Sequence, residues 1–235
     1  MITNMPICMR AKFTPIIDTT MAYDLEEQEQ LATLKAWWSQ YGNLVTWVLT
    51  AALLAYAGWS GWKYYQRDQT SKGELLYEEI VKAADAKDQA KVSRAAEDIK
   101  DKFSSTPYAQ MGALTAAKSA FEADDMKAAK AHLQWVLEHG RSDEFKAVAR
   151  IRLAGVLLDE KAYDDGLKVL DWDFPEQFAA LVADRKGDLL FAQNKTDEAR
   201  KAFQTALDKT EIKNPARQLI QLKLDALGGS LKAAG

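Results

Sequence analysis

At 235 residues, with 31 Lys and Arg against 34 Asp and Glu and a formal net charge of -3, the chain lacks the basic excess of a nucleic-acid-binding surface. Its one cysteine, Cys8, excludes an intrachain disulfide, and no apolar run precedes it to make a lipid-attachment signal. The mean hydropathy of -0.32 is that of a soluble protein, but it averages over segments of very different character.

Residues 1–20 hold three of the six methionines and a single acid, Asp18. Clear helical character begins at Met21, so 1–20 is expected to be a disordered or non-native extension, with Met21 the natural start. Residues 21–43 form a short acidic segment in which Asp24, Glu26, Glu27 and Glu29 face Lys35 alone.

No formal charge lies between Lys35 and Lys63. From Leu44 to Trp62 a helix would rise about 28 Å, close to the roughly 30 Å of a bilayer's hydrocarbon core. Trp37, Trp38 and Tyr41 stand at one end, and Trp59, Trp62, Tyr64 and Tyr65 at the other. Such girdles suit the two headgroup layers. The run has no polar face at helical spacing, so residues 44–63 are expected to span a membrane. Ala55-Tyr56-Ala57 before Gly58 resembles a signal-peptidase site, but the preceding segment is acidic where an export signal is basic, so an uncleaved anchor is expected. Ala51, Ala55 and Gly58 share one face of this helix, with Ala57 and Gly61 beside it, and small residues admit a second helix at close range. Lys63, Arg67 and Lys72 after the span outnumber Lys35 before it, a charge bias that points the C-terminal domain to the cytoplasm.

A linker is expected at 64–74. The rest, 75–228, is rich in Ala, Leu, Lys, Asp and Glu and shows no alternating β-branched runs, so the fold class is all-α, with a tail at 229–235. Internal repetition supplies the architecture. Gly187, Ala199, Phe203 and Ala206 recur as Ala154, Gly166 and Leu170, and before those as Ala117, Ala129, Leu133 and Val136; a fainter copy begins at Ala84 and Ala96. Small, small, large at a period near 34 is the tetratricopeptide pattern: antiparallel helices A and B approach closely, and the large residue fills the gap to the next pair. Asp124-Asp125, Asp164-Asp165 and Thr196-Asp197 are expected to cap the B helices, and Thr106-Pro107 and Asn214-Pro215 to open helices of their own.

Reactive chemistry finds little footing. His132 and His139 are seven apart, not the four a helical metal pair needs. Neither Gly58-x-x-Gly61 nor Gly228-Gly229 makes a phosphate loop, and no serine sits in a nucleophile elbow. No enzyme activity, cofactor or metal is expected.

The acidic segment leading to KAWWSQYGN, one span ending GWKYYQ, and degenerate repeats with FAALVADRKGDLLFAQNKTDEARKAF resemble the YfgM family of bacterial inner-membrane proteins. The resemblance covers roughly Tyr23 to Gly228 and is most specific from Phe178 to Phe203. It implies an ancillary subunit of the SecYEG translocon, with its N-terminus cytoplasmic, one signal-anchor helix and a periplasmic tetratricopeptide-like domain. It further implies association with a PpiD-like periplasmic chaperone and a link to an Rcs-type response regulator. Translocating polypeptides are the ligands expected of a repeat surface beside a channel, and the lipid bilayer the partner of the span. The implied orientation is opposite to the charge bias. The alternative reading is a membrane-anchored scaffold or envelope-stress regulator without translocon contact.

Overall fold

The computed structural model describes residues 19–228, and side chains from Gln28 onward. The expected N-terminal extension with Cys8, up to Asp18, and the expected tail at 229–235 lie outside the described residues. The chain divides between Lys63 and Tyr64 into two units.

Helix α1 runs Thr19–Asp85. It is long and apolar enough to cross a membrane: its best window has a mean hydropathy of 1.4, and none of that window is buried. Two hydroxyls in this part are satisfied within the helix, Thr46 and Thr50 each donating at 2.7 Å to the carbonyl four residues earlier, at Gly42 and Thr46. Neither threonine hydroxyl is thus left unpaired. Trp37 and Tyr41 are in ring contact at one end, and the Lys63 ammonium lies 4.0 Å from the Trp59 ring centroid at the other.

Residues 64–74, expected as a linker, are helical and belong to α1. Their polar composition is compatible with helix: Lys72 pairs with Asp68 at 2.7 Å, one turn apart. Gly73 is not a break either. It is buried, and a Cβ there would stand 3.1 Å from the Thr106 hydroxyl, so the glycine lets the loop before Pro107 pass close by.

From the end of α1 onward the structure is a row of antiparallel hairpins. The A helices are the last turns of α1, then α3 (Pro107–Glu122), α5 (Asp143–Asp159) and α7 (Ala179–Ala192). The B helices are α2 (Gln89–Phe103), α4 (Met126–His139), α6 (Tyr163–Val169) and α8 (Thr196–Lys209). Helix α9 (Ala216–Ala226) packs on α8 at the C-terminal end, and no strand occurs among the described residues. The core is a chain of clusters handed from one hairpin to the next, as in a solenoid. Ile80, Val92 and Ile99 begin it, Leu133, Val136 and Leu153 continue it, then Leu170 and Leu189, then Phe203, Ile220 and Leu224.

Each A-to-B turn has the same construction. Lys87, Asp124, Lys161 and Asn194 take positive φ, between 55° and 63°, two residues before the B helix begins. The next amide reaches back five residues, as from Asp125 to the Ala120 carbonyl and from Lys195 to that of Leu190, at 2.9 Å in each case. This is the left-handed closure that satisfies the last carbonyls of a helix. The turns place the first hairpin at Ile80, Val92, Ala96 and Ile99, so the faint copy begun at Ala84 and Ala96 is four residues out of register. Its large residues hid it. Ile80 stands where later hairpins have Ala or Gly, and the next A helix makes room with Gly112, whose added Cβ would lie 2.9 Å from the Ile80 Cδ1.

The capping expectation also needs correction. Asp125 caps α4 through the Ala128 amide, and Thr106 caps α3 before Pro107. The N-caps of α6 and α8 are Ala162 and Lys195, neither with a side-chain bond. Asp164, Asp165 and Asp197 instead lie inside the first turns, where their charge favours the helix dipole. Asp164 accepts from Gln193 Nε2 at 2.8 Å, tying α6 to the end of α7. Asn214 accepts from the Ala216 amide, while α9 begins at Ala216 rather than Pro215.

Candidate functional site

Three groups of residues bear on function: the small-residue face of α1, the packing positions of the repeats, and a cleft between A helices. Ala51, Ala55 and Gly58 are exposed, and a Cβ at Gly58 or Gly61 would meet nothing within 4 Å. This part of the helix presents an unobstructed face.

The repeat positions are interior. Ala117, Ala129, Leu133, Ala154, Leu170, Ala199, Phe203 and Ala206 are all 2% exposed or less, and Gly166 and Gly187 are buried. They set how close the helices come. A Cβ on Gly166 would lie 2.8 Å from Leu189 Cδ2, and one on Gly187 2.5 Å from the Phe203 ring. These residues build the framework, and only Ala117 and Leu133 among them also border the cleft described next.

The cleft lies on the A-helix side. Ala117, Lys118 and Phe121 of α3, Arg152, Gly155, Val156 and Asp159 of α5, and Arg185 of α7 enclose about 370 Å³, with Leu133 of α4 at the floor. Position by position, Gly155 corresponds to Lys118 in the hairpin before and to Asp188 in the hairpin after. Having no side chain, it leaves the middle of the wall open, and the Arg185 guanidinium carbon rests 3.4 Å from where a Cβ would be. Phe121 is 39% exposed at the rim.

Three cations and one acid line this space. The Arg152 Nη1 donates to the Leu114 carbonyl at 3.0 Å, and among the described residues no carboxylate lies within 4 Å of its guanidinium. Partial burial lowers its pKa, because desolvation opposes the charge. Arg185 reaches Asp188 only at 3.5 Å, whereas Lys223 of α9 holds Asp188 and Asp184 at 2.8 Å each. The Arg185 Nε is buried without a hydrogen-bond partner. Asp188 is nonetheless raised in pKa: burial outweighs the hydrogen bond and charge of Lys223, and Asp184 adds repulsion. The carboxylates near Arg185 are thus held more closely by Lys223 than by Arg185.

Arg152 and Arg185 occupy equivalent places on successive A helices, each two residues before the small residue of its repeat. That recurrence was present in the sequence but becomes meaningful only once the register is known. Among the described residues no group of three or more His, Cys, Asp or Glu could hold a metal ion. His132 is 4% exposed on α4, with Nδ1 3.4 Å from Lys100 Nζ, and His139 stacks on Trp135 at 4.9 Å. His132 belongs to the packing of the B helices, and His139 lies exposed at the end of α4.

Residues 35–229 match the family model of the tetratricopeptide repeat-like domain. The chain is similar to the ancillary SecYEG translocon subunit of Neisseria gonorrhoeae, 33% identical over 211 residues, which cover 88% of this chain and 100% of that relative. The corresponding subunit of Haemophilus influenzae is 28% identical over 88% of this chain and all of its own length. That of Escherichia coli is 27% identical over 86% of this chain and 96% of its own. No solved structure gives a significant match.

Proposed function

Because the chain belongs to the family of ancillary SecYEG translocon subunits with a tetratricopeptide repeat-like domain, we propose that it anchors a polypeptide-binding repeat domain in the inner membrane beside the protein-conducting channel. The observation that carries this reading is the pairing of one exposed apolar helix with a stack of hairpins whose A-helix side opens into a cleft. Stacked A helices bind extended chains or partner helices through many modest contacts and need no reactive group. Holding the domain in the membrane plane raises its effective concentration at the channel, so weak contacts suffice.

The span, 44–63, packs against another membrane helix through Ala51, Ala55 and Gly58, which admit close backbone approach. The N-terminus is cytoplasmic and the repeat domain periplasmic. The excess of Lys63, Arg67 and Lys72 over Lys35 opposes that orientation, but long C-terminal domains translocate despite a few charges. In the periplasm the ligands are emerging polypeptides and a PpiD-like chaperone that receives them; the Rcs-type link follows as an indirect readout of export.

Thiol labelling in cells tests the placement. In a Cys8→Ser background, a cysteine replacing Ile212, 87% exposed, should react with a membrane-impermeant maleimide once the outer membrane is opened. Reaction only after lysis would place the domain in the cytoplasm and end the proposal. Recovery of the translocon with the full-length protein in mild detergent tests the partner, and its absence after crosslinking would leave the domain without its proposed post.

A further inference from the structure

The cleft between α3, α5 and α7 has a charge that the packing of the domain does not explain. Lys118, Arg152 and Arg185 stand against Asp159 in a chain whose formal net charge is -3. Lys118 is partly answered by Glu122 at 3.6 Å on its own helix. Arg152 is not, having a neutral carbonyl for its partner, and Arg185 is answered only by Asp188 at 3.5 Å, which Lys223 holds more closely. Two guanidiniums from adjacent A helices line one cleft, and Arg185 lies over Gly155, which has no side chain to fill the space. Asp159 lies two turns along α5 from Arg152, about 10 Å away, so it does not neutralise that end of the cleft. The remaining lining is apolar: Ala117, Leu133, Val156 and the exposed edge of Phe121.

We propose that this cleft reads acidic-apolar segments of the polypeptide bound by the domain, taking an aspartate or glutamate side chain at Arg152 and Arg185 and its apolar neighbour against Phe121 and Val156. The inference rests on the polypeptide-binding reading above and adds to it a sequence preference. Charge complementarity selects the occupant: a guanidinium fork matches a carboxylate, and the half-buried setting of Arg185 strengthens the match over what an open surface gives. A volume of about 370 Å³ holds two or three side chains and no folded element. The cleft therefore recognises a short extended stretch, and neighbouring hairpins hold the rest of the chain.

The experiment measures fluorescence anisotropy with full-length protein in phosphatidylcholine nanodiscs. The probe is a dye-labelled ten-residue peptide alternating leucine and glutamate, acetylated and amidated at its ends, compared with its glutamine counterpart. At low salt the glutamate peptide should bind at least about tenfold more tightly, the scale of one or two charge-assisted hydrogen bonds. Added salt should erode that advantage. Combined Arg152→Gln and Arg185→Gln should abolish the preference. Arg152 also holds the Leu114 carbonyl, so a second variant guards against misfolding: Gly155→Trp keeps both arginines and fills the cleft from a position where a Cβ meets nothing closer than 3.4 Å. It should remove binding of the glutamate peptide while circular dichroism keeps the native helix content.

Equal binding of the two peptides would overturn the acidic preference and leave the polypeptide-binding reading standing. So would a preference that survives both sets of variants. If neither peptide binds, both readings are overturned. Arginine-dependent binding to phosphatidylglycerol vesicles without any peptide preference would assign the cleft to lipid and overturn the proposal.

Discussion

Gly187 faces Phe203 so closely that a methyl group on its backbone would lie 2.5 Å from the ring. The pair joins α7 to α8, and the Phe203 ring is also 5.3 Å from the Lys223 ammonium of α9. One glycine thus sets the spacing of the last hairpin and the docking of the helix that closes the stack. Replacing it with alanine gains helix propensity but forces the ring to move, and overpacking of this kind costs about 1–3 kcal/mol. Gly187→Ala should therefore lower the urea midpoint, and Phe203→Leu in the same chain should recover part of the loss. Gly155→Ala is the control: its Cβ meets only ordinary contacts, so the propensity gain of up to about 1 kcal/mol should appear unopposed.

The turn residues at positive φ give a second prediction. Lys161 holds φ 63°, a conformation that costs a non-glycine residue roughly 1–2 kcal/mol. Lys161→Gly should raise the melting temperature, part of the relief being offset by the greater freedom of the unfolded chain. Lys161→Val should lower it, because a β-branched residue resists this region most.

The contact of Lys223 with Asp184 and Asp188 gives a third. Its removal leaves two neighbouring carboxylates with Arg185 alone, and charge-assisted bonds of this kind are worth about 1.5–3 kcal/mol. Lys223→Met should destabilise the domain by that order. Adding Asp188→Asn should restore part of it, so a double-mutant cycle in chemical denaturation would show coupling between the two positions. An additive result would mean that α9 docks by its apolar face alone.

Burial, and then the charge of Lys100, lower the pKa of His132, with Glu97 and Asp125 opposing. The folded protein therefore binds this proton less readily than the unfolded chain, whose histidine titrates near 6.5. The contribution is fully present above about 6.5 and is lost as pH falls through the depressed folded value. His132→Gln should lose less stability than the wild type between pH 7.5 and 5.5, measured by urea midpoints at each pH. A parallel decline would assign the acid sensitivity to other groups.

Much of this was legible in the sequence where one physical demand leaves few residue choices. A charge-free run between aromatic clusters reads as a span, because any charge there is expensive. Gly187, Ala199 and Phe203 read as a hairpin, because close helices exclude side chains at fixed places. The first hairpin was lost because Ile80 and Gly112 exchange the usual large and small roles across two helices, which no single repeat records. The turns were missed because Lys87, Asp124, Lys161 and Asn194 bear positive φ without the glycine that would announce it. The cleft was invisible for a different reason. Its charge is the sum of residues more than thirty positions apart, brought together only when the A helices stack.

The central claim is that the A-helix cleft faces polypeptides leaving the channel. A photocrosslinking residue in place of Phe121, at the cleft's rim, tests this in cells carrying an arrested translocation intermediate. Adducts with the arrested chain should form from Phe121 and not from the exposed Lys127, on the B-helix α4. Adducts with cytoplasmic proteins alone, or equal yields from both positions, would contradict the account.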